Sequence, residues 1–265
     1  MLAALPLGSC ACAGSPASGT VSKVAAAADA RPIHVFAAGT FDALLERLEP
    51  MFERDHPGVD LVVRHGVARP PLDADQTLSE AVNAGQAVDA MLVVDAEQLE
   101  RLTRQPSAVT PWLGNRLVLI RRRGSGLRLI DLSAGVCEVS VALEQTGLGR
   151  ATRGALRERG VWSGLSGRAG LFDGGRAIVA RVASERLEPA LGIVFASDAA
   201  ATESSITVAA VLDAGGVEHA AATWTADGRL FARWLRSDEA IAVATRLGFS
   251  APVDARASPP TNQNR

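Results

Sequence analysis

Apolar and polar residues follow two different periods along this chain, and the periods take turns. IHVFAA (33–38) is a short apolar run suited to a strand, and the segment after it changes period at once. In FDALLERLEPMFERDH, Phe41, Leu44, Leu45, Leu48, Met51 and Phe52 recur at helical spacing. That spacing predicts a helix over 41–56 with a bend at Pro50. VDLVVRH (59–65) then reads as a strand, SEAVNAG (79–85) as a helix, VDAMLVVD (88–95) as a strand and AEQLERL (96–102) as a helix. Farther on, NRLVLIRRR (115–123) reads as a strand and GRATRGALRERGVW (149–162) as a helix ended by Gly160. AIVARVASERL (177–187) is a helix, LGIVFAS (191–197) a buried strand, and 229–249 a pair of helices broken near Ser237. Such alternation predicts an α/β fold with parallel-rich sheets covered by helices. No internal repeat of fixed period is visible.

Composition narrows the class. With 265 residues, 48% of them hydrophobic, the chain has material for one large domain or two small lobes. A formal net charge of -2 argues against bulk nucleic-acid binding. Lys23 is the only lysine, a bias that fits GC-rich codon usage better than a role for Arg. The start, MLAALPLGSCACAG, resembles the tail of a bacterial secretory signal, and LGSC resembles a lipobox whose Cys10 would be lipidated. It departs from that pattern in having no Lys or Arg before a short apolar run. Residues 1–30 are expected to be leader and Ala-rich tether, and 256–265 a disordered tail. No stretch reaches the ~18 apolar residues of a spanning helix, so any membrane link is expected through lipid.

Several chemistries are excluded by spacing. The cysteines at 10, 12 and 137 lack the paired grouping of a zinc site, and Cys137 reads as a buried apolar filler. GLGRAT (147–152) has Thr152 where a dinucleotide fingerprint needs its third small residue. SGLSG is not a nucleophile elbow, and the four histidines show no ligand spacing. No nucleophile, base and orienter assemble, so a binding protein is expected rather than an enzyme.

Taken in order, several stretches resemble the substrate-binding component of molybdate ABC importers. They are FAAGTFDALLERLEPMFERDHPGV, AVDAMLVVDAEQLERL, NRLVLI, TGLGRATRGALRERGVW, LGIVFASDA and FARWLRSDEAIAVATRLGF, and they cover roughly residues 31–252. The resemblance implies a type II periplasmic-binding-protein fold: two lobes, each a mixed sheet flanked by helices, joined by two crossing strands. Lobe 1 would take 31–114 plus 212–255, and lobe 2 would take 115–211. It also implies a monomer that carries no cofactor and closes over a small tetrahedral oxyanion, molybdate or tungstate. The oxyanion would pass to an ABC transporter permease at the outer face of the cytoplasmic membrane.

The implied ligands are mostly uncharged. Helix starts hold unpaired N–H donors and a partial positive charge, which suits them to anions. Gly39 would give the backbone access and Thr40 a hydroxyl. Leu148, with Gly149 beside it, would contribute backbone from the second lobe, and Ala177 would do so from the next helix. Two positions depart from the family. Its Tyr is Phe195 here, and its second ligand Ser falls in RHGVARPPLDADQ near Ala68 or Arg69, where there is no Ser. Each lost hydrogen bond to a charged ligand is worth ~1.5–3 kcal/mol. Arg69 is then either a compensating cation or a solvated loop residue. A retuned pocket reading a different anion or organic solute through Arg69, His65 and Phe195 is the alternative.

Overall fold

The computed structural model of the chain describes residues 30–66, 74–184, 186–200, 202, 204–212 and 216–252. Cys10, Ala68, Arg69, the tether and the tail lie outside the described residues. Two five-stranded mixed sheets account for the architecture. The first is built from β1 (Arg31–Ala37), β2 (Val59–His65), β3 (Ala90–Val93), β4 (Ala108–Asn115) and β10 (Val217–Thr223), in the order β2-β1-β3-β10-β4. The second contains β5 (Leu117–Arg122), β6 (Glu138–Ala142), β7 (Ala169–Phe172), β8 (Ala190–Phe195) and β9 (Ile206–Val211), in the order β7-β6-β8-β5-β9. β1 runs parallel to β2 and β3, as β6 does to β7 and β8. β10 and β5 are antiparallel to their neighbours. Because β4 and β5 belong to different sheets, the chain crosses between them at Arg116, and it crosses back between β9 and β10.

Helices cover the sheets: α1 (Asp42–Asp55), α2 (Ala74–Asn83), α3 (Gly147–Glu158), α4 (Gly175–Ala183), α5 (Ala226–Trp234) and α6 (Asp238–Arg246). The stripe on α1 does what its period predicts, burying Leu44, Leu45, Leu48 and Phe52. Pro50 falls on its exposed face and the helix continues through it, so the bend expected there does not end the element. Gly160, with φ of 69°, lets the chain turn away two residues beyond α3. Ser237 separates α5 from α6 by capping the latter, its hydroxyl accepting from the Ala240 N–H.

One apolar cluster runs through both halves, from Ile33 and Phe52 to Ile193 and Leu156. A smaller one, with Phe36, Leu78 and Met91, fills the other face of the first sheet. Cys137 is a free thiol, only half-buried against the larger cluster, and burial still pushes its pKa up. No helix among the described residues is long and apolar enough to cross a membrane.

Candidate functional site

The two halves face each other across a cleft of about 800 Å³. From the first half, β1 ends on small residues and a three-residue turn, Gly39–Phe41, leads directly into α1. Phe41 is fully buried against Trp112, His219 and Phe249, which anchors that turn. Gly39 and Thr40 are thereby left on the cleft wall. Thr40 Oγ1 is buried and has no hydrogen-bond partner among the described residues. An orphaned hydroxyl lining a cleft is the kind of exception that a bound ligand explains.

From the second half come the starts of α3 and α4. Leu148 and Ala177 line the cleft, as does Phe195 at the end of β8. The structure therefore brings Gly39, Thr40, Leu148, Ala177 and Phe195 to one cavity. Gly149 is different and requires a correction. It is buried behind the wall, its N–H donates to Thr146 Oγ1 at 3.0 Å, and the Leu143 carbonyl presses against its Cα. Its donor is spent on capping α3, so it has nothing to offer a ligand. Gly66 lines the cleft where the described residues stop, just before Ala68 and Arg69.

Charged groups that the sequence does not single out, Asp42, Asp173, Arg176 and Asp198, also stand here beside His65. Asp42, the first residue of α1, lies 3.1 Å from Arg176 Nη2 of α4, an ion pair that spans the cleft. His65 Nδ1, at the end of β2, lies 2.6 Å from the other Asp42 oxygen. Burial raises the Asp42 pKa, and the neighbouring His65 and Arg176 only partly offset that. Asp198 sits in the short helix Ala196–Ala200 that follows β8, where its Oδ2 accepts from the Phe195 N–H at 3.3 Å. Burial pushes its pKa up to about 7, against the pull of that N–H and of Arg176. A Cβ on Gly175 would fall 2.1 Å from Asp198 Oδ2, so only glycine at the start of α4 admits this carboxyl. Asp173 completes the acidic lining.

These residues had sequence signals of a kind. Asp42 follows Thr40 by two, Asp198 lies inside LGIVFASDA, and Gly174–Gly175–Arg176 opens a helix. Nothing local shows that they meet, since Asp42 and Arg176 are 134 residues apart.

A second bridge joins the halves on the α3 side. Arg150 donates to both Asp95 oxygens, at 2.9 and 2.8 Å, and reaches Glu97 at 3.0 Å. Behind the cleft, Phe195 meets His219 edge-on at 5.5 Å. His219 is fully buried with Nδ1 2.9 Å from the Val94 carbonyl, which makes Nδ1 the donor, and burial depresses its pKa to about 4. No group of three or more His, Cys, Asp or Glu among the described residues could hold a metal ion.

Two mixed α/β sheets linked by two crossings, with helix starts from both halves facing one cleft, define the two-lobed periplasmic-binding-protein fold. The chain belongs to the bacterial extracellular solute-binding protein family, whose profile matches residues 33–250. Solved structures of similar fold include the periplasmic molybdate-binding protein of Azotobacter vinelandii, at 18% identity and a TM-score of 0.64 over 83% of this chain and 100% of that one. The sulfate-binding protein SubI of Mycobacterium tuberculosis H37Rv is also similar, at 14% identity and a TM-score of 0.64 over 85% of this chain and 88% of that one. A substrate-binding protein with bound phosphate from Clostridium perfringens aligns at 15% identity with a TM-score of 0.60, over 84% and 100% of the two chains. No curated protein matches the sequence.

Proposed function

We propose that this chain is the monomeric solute receptor of an ABC importer. It closes over a small tetrahedral oxyanion and hands it to a membrane permease. It works outside the cytoplasmic membrane, with Cys10 as the point of lipid attachment, and it is a carrier rather than an enzyme. The observation that carries this reading is the unpartnered Thr40 hydroxyl, buried in a cleft that the starts of α3 and α4 face from the other half. Donors from both halves align on a ligand only when the halves are shut, so ligand binding favours closure by its differential affinity.

Within that class, molybdate and tungstate are the ions that the sequence resemblance names. Arg69 and Ala68 remain proposed contacts on the same ground. A thermal-shift series with molybdate, tungstate, sulfate and phosphate tests the class. A ligand at 100 times its Kd is expected to stabilise the fold by about 2.7 kcal/mol. No shift with any of the four overturns the reading. Thr40→Ala is expected to weaken binding of the responding ion by ~1.5–3 kcal/mol. It should leave the ligand-free melting point almost unchanged, because the hydroxyl has no partner to lose. Unaltered affinity would remove Thr40 from the site.

A specific observation favours a second reading, in which a larger or different solute is bound. The cleft is roomy for a five-atom ion, and among the described residues it presents Asp42, Asp173 and Asp198 together with Arg176.

A further inference from the structure

Among the described residues that line the cleft from the second half, Thr146, Ser197 and Thr202 carry hydroxyls. Thr146 has none to spare, because its Oγ1 accepts from the Gly149 N–H and donates to the Leu143 carbonyl at 2.8 Å. Thr202 is only half-buried. Ser197, in the short helix after β8, is 7% exposed. Its Oγ accepts a hydrogen bond of 2.8 Å from Nδ2 of Asn115, a residue 1% exposed at the end of β4. The other end of that amide fixes the direction of the bond. Asn115 Oδ1 accepts from the Arg116 N–H at 3.0 Å, a donor that only the amide oxygen can answer, so the nitrogen faces Ser197. An amide nitrogen donates and does not accept. The Ser197 hydroxyl hydrogen is therefore not spent on Asn115, and nothing among the described residues accepts it. A buried donor without an acceptor is costly, and a ligand in the cleft removes that cost.

We propose that Ser197 is a ligand-binding residue that donates its hydroxyl hydrogen to an unprotonated oxygen of the bound oxyanion, and that Asn115 is the positioning residue that keeps it a donor. This inference rests on the oxyanion reading above and adds to it a side-chain donor from the half opposite Thr40. An O–H that donates to an anionic oxygen makes a short, strong bond. Phe195, two residues earlier, lines the same wall and has no polar side-chain atom to offer. Asn115 is the last residue of β4, and the chain crosses to the second sheet at Arg116 beside it. The hydrogen bond therefore runs from the crossing itself to the cleft wall. Burial at both ends keeps water from taking the place of either partner.

Isothermal titration of the full chain with sodium molybdate, tungstate, sulfate and phosphate tests this, alongside Ser197→Ala, Ser197→Thr, Asn115→Ala and the double alanine variant. Ser197→Ala is expected to weaken binding of the responding ion roughly 10- to 100-fold. Ser197→Thr, which keeps the hydroxyl, should retain the affinity of the unsubstituted chain. Asn115→Ala should weaken binding when Ser197 is present and add no further loss in the Ser197→Ala background. A purely structural role for Asn115 would lower the melting point of both backgrounds and leave both affinities alone, and that result overturns the positioning. Should Asn115→Ala fail to fold, Ser197→Ala, which removes a single oxygen, decides alone. If an ion binds the unsubstituted chain and Ser197→Ala equally well, the role of Ser197 falls while the oxyanion reading stands. If none of the four binds the unsubstituted chain, both fall together.

Discussion

Asp198→Asn is expected to make the ligand-free protein more stable than the unsubstituted chain at pH 8, by roughly 4 kcal/mol, with the advantage gone below pH 4. The folded-state pKa of Asp198 lies at about 7, above its ordinary 3.8. Such a group contributes stability that is fully present below 3.8 and is lost as pH rises through 7, because the folded chain binds the extra proton. An amide has no charge to bury, so the variant escapes that loss. His219 works in the opposite direction. Its folded pKa of about 4 lies below the ordinary 6.5, so its contribution is present above 6.5 and is lost as pH falls through 4. Between pH 4 and 6.5 the two slopes oppose each other in the unsubstituted protein. Removing Asp198 should therefore expose a steep acid loss from His219 over that window. Urea unfolding of both proteins at pH 4, 6 and 8 reads the difference directly. A stability gap that stays constant with pH would show that Asp198 ionises like a surface carboxylate, and that the cleft is wetter than its geometry suggests.

Gly149→Ala should cost about 2–3 kcal/mol of stability or prevent folding outright. A Cβ there would lie 1.8 Å from the Leu143 carbonyl oxygen and 2.9 Å from that of Ala142. Both are backbone atoms at the end of β6, so neither can swing aside. For a chain of this size the melting point should drop by roughly 4–12 °C. The measurement also separates two roles. A glycine that contacted ligand would lose affinity on substitution with its melting point intact, whereas one that seats a helix on a strand would lose the fold first. The structure supports the second role, and an unchanged melting point with weakened anion binding would reverse it.

How much of this was legible in the chain depends on the range of the interaction. Segments with strong local period were readable. The α1 stripe and the β8 run LGIVF match their elements to within a residue or two, because burial on one face or on both leaves a direct mark. β6, β7 and β9 go unread in the chain as well as β4 and β10, and the last two lack that mark. β4 reads AVTPWLGN, with Pro111 and Gly114 inside it, and β10 reads VEHAAAT, whose alanines give little amphipathic contrast. β10 is a strand because β3 and β4 flank it on both sides, a fact supplied by residues far away in the chain. The site divides along the same line. Thr40 and the helix starts were visible as a strand-to-helix junction of small residues. Asp42, Arg176 and Asp198 were not, since each is unremarkable alone and becomes chemistry only when both halves meet. Gly149 reads as a ligand contact in the sequence because a glycine beside a helix start looks the same whether it admits a ligand or a carbonyl.

The two bridges that join the halves differ in exposure, and this has a consequence for how the receptor releases its cargo. The Arg150 guanidinium is forked onto Asp95 and is only 17% exposed, whereas the Arg176 side chain, 80% exposed, holds Asp42 by a single contact. Dissolved salt reaches the second far more readily than the first. Raising ionic strength should therefore loosen the mouth near Asp42 while the far rim stays fastened, so that the jaws part unevenly, like a purse with one clasp undone.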